Sequence, residues 1–123
     1  MSTMDTIKST LDTLAASETY PFSGGVYYGI LTAQMLPEWN YFVFNRTTDE
    51  VQNDHRATCR YEVHIVHEDY VMEDYPFTVI DALKAAVPGF SVAEDTRYEY
   101  ITKGDTDMIV EICTLTFKQA RKV

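Results

Sequence analysis

Met4, Ile7, Leu11 and Leu14 recur at spacings of three, four and three, the period of one face of an α-helix. Ser2 or Thr3 can cap its start, and Asp5 lies in the first turn, where the helix dipole favours a carboxylate. The pattern breaks at "YPFSGGVYYGILTAQMLP", where Pro21, Gly24, Gly25, Gly29 and Pro37 leave no room for a long regular element. Tyr20, Phe22, Tyr27 and Tyr28 make this stretch, residues 20–38, unusually aromatic for a connection, and connections of such length usually serve function. "WNYFVFNR" follows as a strand with no polar face, because Trp39, Tyr41 and Val43 alternate with Phe42 and Phe44. "TTDEVQNDHRA" reads as a polar, flexible connection. "TCRYEVHIVHE" reads as a strand with Cys59, Tyr61, Val63 and Ile65 on one side and Arg60, Glu62 and His64 on the other. Asp74 is placed to cap a second helix, with Pro76 in its first turn and Phe77, Ile80, Leu83, Ala86 and Val87 as its apolar stripe. "RYEYIT" and "MIVEICTLTF" complete the pattern as two strands joined by a hairpin loop across residues 103–107.

The order α-β-β-α-β-β predicts an α+β fold: one domain over residues 1–123, with a single antiparallel sheet of about four strands and two helices packed on one face. Two short helices cover one face of such a sheet. The other face is expected to carry Phe42, Phe44, part of the last strand and either Tyr98 and Tyr100 or Ile101, which is too apolar to leave in water. Either the aromatic stretch folds over it or a second copy does. The candidate subunit interface is therefore Tyr27, Tyr28, Trp39, Phe42, Phe44, Tyr98 and Tyr100, since tyrosine-rich surface is typical of interfaces.

With 10 basic against 19 acidic residues, the chain carries a formal charge of −9 and a pI near 4.6. Such a balance opposes binding to a nucleic-acid backbone or to anionic lipid, both of which need Lys and Arg. No apolar run approaches a membrane span, and "MSTMDTIKSTLDTLAA" lacks the basic and apolar regions of a signal peptide. The charge is uneven. Residues 46–75 hold eight acidic residues and three arginines, whereas Lys118, Arg121 and Lys122 close the chain. Cys59 and Cys113 are expected to be buried free thiols in a reducing cytoplasm.

The chemistry-bearing residues do not converge in the sequence. His64 and His67 are three apart on a strand, so their side chains leave opposite faces and cannot share a metal. No zinc-ligand spacing, nucleophile elbow or phosphate loop occurs, and the ligand run of a calcium loop stops after Asp105 and Asp107. No catalytic residue, cofactor or metal ligand is expected. The competing enzyme reading, a small dimeric ferredoxin-like α+β barrel acting on an aromatic or haem-like ligand, would rest on His64.

Three stretches together, "WNYFVFNR", "YEVHIVHEDYV" and "YEYITKGDTDMIVEICTLTF", resemble small tail-completion proteins of long-tailed bacteriophages with Gram-positive hosts, similar in layout to tail terminators. The resemblance covers roughly residues 36–118 and the leading helix. It implies a structural virion protein made in the host cytoplasm, which forms a ring, commonly a hexamer, at the head–tail junction. Its partners would be further copies of itself, the tail-tube protein and a head-completion protein. DNA would pass through the lumen without specific binding, and no membrane would be involved. The resemblance fits a head-side connector as well as a tail terminator. An acidic wall repels phosphate, so Asp49, Glu50, Asp54, Glu68 and Asp69 are the candidate lumen or rim residues.

Overall fold

The computed structural model describes residues 2–31 and 36–122. The first helix, α1, spans Thr3–Ala15. Ser2 caps it, and Ser2 and Asp5 form a reciprocal capping box that satisfies two of the first free amides. Ile7 and Leu11 are fully buried, with Met4 and Leu14 packed beside them, as the spacing predicts.

Six strands follow: β1 (Val26–Tyr28), β2 (Tyr41–Asn53), β3 (Arg56–Glu68), β4 (Ser91–Val92), β5 (Arg97–Thr102) and β6 (Ile109–Lys122). A second helix, α2 (Tyr75–Ala86), lies between β3 and β4. The sheet runs β1-β2-β3-β6, with β4 and β5 both pairing along the far side of β6. The α+β class holds, but the expected antiparallel four-stranded sheet is a six-stranded mixed one. β1 pairs in parallel with β2 through Val26–Phe42 to Tyr28–Phe44, and β4 adds two residues. Both added strands are too short to leave a periodic signal.

The expected flexible connection across residues 47–57 is instead strand. β2 and β3 continue as a hairpin to a two-residue turn at Asp54 and His55, with register shifts near Asp49 and Asn53. From Arg46 to Arg56 every residue is exposed, so no buried face marks the period and the arm reads as loop. Bulges of this kind also blunt a sheet edge.

The helices cover one face. Phe42, Phe44, Tyr61, Val63, Ile65, Leu115 and Phe117 pack there against α1, α2 and Phe22. Phe42 and Phe44 are 0% and 3% exposed. They point toward the helices, not onto the bare second face where the sequence reading placed them. The buried stripe of α2 is Tyr75, Pro76, Val79 and Leu83 rather than one led by Phe77, which is 63% exposed. Asp74 occupies the cap position, but at φ 70° its carboxylate makes no capping bond.

The second face is closed at one end by the chain itself. Tyr41, Val66 and Val110 are buried beneath Tyr27, Leu31, Leu36 and Trp39, which places Trp39 and Tyr27 inside the molecule's own packing. Gly24 makes this route possible: a Cβ there would meet Asn40 O at 2.8 Å. The rest of that face is polar, with Asn45, Glu62, His64 and Arg97 in one bonded group. The expected bare apolar face is therefore absent. Of the aromatic stretch, residues 32–35 lie outside the described residues.

Candidate functional site

The strand register assembles a polar group around His64 on the face away from the helices. β2 sets Asn45 opposite Glu62, and β6 sets Thr114 opposite His64. Asn45 Nδ2 donates to Glu62 Oε1 at 3.3 Å, which turns Asn45 Oδ1 toward the imidazole. His64 Nε2–H then donates to Asn45 Oδ1 at 3.1 Å, and the Thr114 hydroxyl donates to Nδ1 at 2.9 Å. Arg97 Nη2 closes the chain on Glu62 Oε2 at 3.1 Å. Burial pulls the His64 pKa below its ordinary value, with Arg97 acting in the same direction and Glu62 against it. A cavity of about 490 Å³ opens beside this group, lined by Leu31, Tyr41, His64, Arg97 and Ile112 among others. Both imidazole nitrogens are engaged, so neither is presented to a substrate as a base or to a metal as a ligand.

His67 lies on the opposite face, as the strand period requires. It stacks on Tyr20 with centroids 5.2 Å apart, and its Nδ1 bonds Glu68 O. His55 sits in the exposed turn of the hairpin arm. Cys59 and Cys113 are buried free thiols. Burial raises both pKa values, that of Cys113 to about 12, so neither is a ready nucleophile. No group of three metal-ligating side chains occurs among the described residues.

The candidate rim carboxylates separate. Asp49, Glu50 and Asp54 are exposed on the hairpin arm. Asp69 is exposed beyond the other end of β3, a strand about 40 Å long at ~3.3 Å per residue. Glu68 is not a free wall charge. Lys103 hydrogen-bonds it and thereby holds its carboxyl below the usual range, and the same ammonium donates to Pro37 O at 2.8 Å.

Two further surfaces emerge, one that the sequence did not suggest and one whose tyrosines it named. One is a cleft of about 420 Å³ between the start of α1 and the sheet, lined by Lys8, Tyr28, Phe44, Arg46, Tyr61 and Arg121 among others. Arg46 Nη2 donates to the Tyr28 hydroxyl at 3.3 Å, and Arg121 and Tyr61 line the cleft beside them. These residues come from β1, β2, β3 and β6, and only the register unites them. The other is the edge strand β5, whose six residues are all exposed. Tyr98 and Tyr100 sit there 49% and 61% exposed, on the helix side of the sheet beside Cys113 and Glu111. Tyr28, 53% exposed, lies at the opposite edge, in β1.

No family model matches the chain, and no curated protein is significantly similar to it. One solved structure, whose name describes no activity, is similar over 94% of this chain and 92% of its own, at 14% identity and a TM-score of 0.46. Likeness at that level transfers no role to this chain.

Proposed function

We propose that this chain is a structural subunit of a long-tailed bacteriophage or prophage virion. It assembles with copies of itself into a ring at the head–tail junction, as a tail terminator or tail-completion protein. The observation that carries the reading is β5. It is paired on one side with β6, and its outer edge has no strand partner among the described residues. An exposed edge bearing Tyr98, Tyr100 and Ile101 is a template for association, and natural proteins usually blunt such edges. The other outer edge is β1, only three residues long, and the arm of β2 beyond it is blunted by register shifts and charge. The contact is therefore assigned to an edge and its flank, in place of the bare apolar face expected from the sequence.

The hairpin arm supports the same reading. It extends Asp49, Glu50 and Asp54 into solvent, where carboxylates lining a channel keep DNA from sticking. Such an arm suits contact with a tail-tube or head-completion protein, because exposed segments commonly adjust on binding.

Electron microscopy of particles produced without this chain tests the proposal. Unjoined heads, or tails of uncontrolled length, are the expected result. Normal joined particles would overturn it.

A further inference from the structure

The charge of the molecule is polarised along its strands. At one end the β3–β6 register sets Arg56 beside Lys122, Ala57 beside Arg121 and Arg60 beside Lys118, and Arg46 lies across β3 from them. The arm carboxylates Asp49, Glu50 and Asp54 share this end. At the other end stand Glu68, Asp69, Glu73, Asp74, Asp105 and Asp107, with Lys103 already taken by Glu68.

Within the basic end, the cleft holds two arginines that form no ion pair among the described residues. Arg46 is held by the Tyr28 hydroxyl rather than by a carboxylate, and Arg121 lines the same cleft as Tyr61. Of the nearby acids, Asp5 is spent in the α1 capping box and Asp12 is paired with Lys8 at 2.8 Å. Asp49 makes no ion pair with Arg46 among the described residues. Phe44 and Tyr61 form the apolar part of the lining.

The opposite end presents a matching shape. The turn from Asp69 to Asp74 displays Tyr70 and Met72, 69% and 46% exposed, among Asp69, Glu73 and Asp74. Backbone bonds fix it: Asp69 N to Ile109 O at 2.8 Å, Val71 N to Glu111 Oε1 at 2.9 Å and Met72 N to the Tyr20 hydroxyl at 2.9 Å. Asp69 and Asp74 adopt φ of 64° and 70°, left-handed conformations that persist in non-glycine residues only where the surroundings enforce them. Tyr100 lies opposite the same Glu111 in the β5–β6 register, so the turn and the β5 edge are neighbours. Tyr61 in the cleft and Glu68 at the turn are seven residues apart on β3, about 23 Å at ~3.3 Å per residue. The turn cannot fold into its own cleft.

We infer that the acidic, aromatic turn Asp69–Asp74 of one copy docks into the cleft of the next, with its carboxylates meeting Arg46 and Arg121. The inference rests on the ring-subunit reading and specifies its contact. Turn-to-cleft pairing is heterologous, the geometry that closes into rings when the rotation permits. Carboxylate on guanidinium is the strong, directional form of such pairing, and a tyrosine beside it supplies the buried area of a hot spot.

Two variants test it. In the first, Arg46→Glu and Arg121→Glu reverse the cleft. In the second, Asp69→Asn, Glu73→Gln and Asp74→Asn neutralise the turn, with asparagine keeping the left-handed positions tolerable. Sedimentation is expected to show each variant alone as a monomer and an equimolar mixture as a one-to-one dimer, since only one cleft–turn pair remains intact. A wild-type chain that assembles while the mixture stays monomeric would overturn this contact and leave the ring reading standing. Variants that assemble as the wild type does would do the same. A wild-type chain that never assembles would overturn both. If either multiple variant fails to fold, Tyr70→Ser in the otherwise wild-type chain decides: a several-fold weaker association supports the contact, and no change overturns it.

Discussion

Tyr75 contributes a ring to the core cluster, with centroids 4.6 Å from Tyr20 and 5.4 Å from Phe22. Its buried hydroxyl finds no partner among the described residues. A buried unpaired hydroxyl costs stability, so Tyr75→Phe is expected to be neutral or to stabilise by about 1 kcal/mol, read as a higher urea midpoint. His64 is the opposite case, with both nitrogens bonded. His64→Ala strands the buried Thr114 hydroxyl and the Asn45 amide, at an expected cost of about 1–3 kcal/mol. Because burial lowers the folded pKa of His64 below 6.5, the unfolded chain takes up its proton first on acidification. The stability due to the neutral ring is complete above pH 6.5 and is lost as the pH falls from there to the folded value. Urea titrations between pH 8 and 5 are expected to show this slope in the wild type and not in His64→Ala. An NMR titration placing the ring midpoint above 6.5 would contradict the burial argument.

The regular elements are where hydrophobic period proved most informative. It located α1, the cores of β2, β3 and β6, and the opposite-face placement of His64 and His67. It failed where burial does not follow the period. The hairpin arm past Arg46 is exposed on both sides, so alternation carried no signal there, and β1 and β4 are too short to show any. In α2 the buried residues Tyr75, Val79 and Leu83, continued by Val87, recur every four. Phe77 misled because a large apolar residue was given weight without regard to its neighbours. The unpaired strand β5 makes a prediction at this scale. Ile101→Lys places a charge on an exposed edge residue and should leave the melting temperature within a few degrees, while reducing self-association measured by light scattering. Unchanged association would remove β5 from the contact.

At the scale of the whole molecule, the net charge was legible from composition, but its distribution was not. The acidic run from residue 46 to 75 looks like one surface in sequence. The β2–β3 hairpin and the length of β3 place Asp49, Glu50 and Asp54 at one end and Asp69, Glu73 and Asp74 at the other. Coverage of the second sheet face was equally hidden, because it depends on Leu31, Leu36 and Trp39 returning over Tyr41 and Val66, a long-range contact that no local pattern encodes. What remains exposed is an unpaired strand and two oppositely charged ends, the features on which the proposed joining of copies rests. Attraction between such ends is screened as the Debye length shrinks from about 10 Å at 0.1 M salt to about 3 Å at 1 M. Sedimentation equilibrium across that salt range is the most direct test. The predicted result is a mass well above the 14.1 kDa of one chain at low salt, falling toward it at high salt. A constant single-chain mass at every concentration and salt would contradict the account.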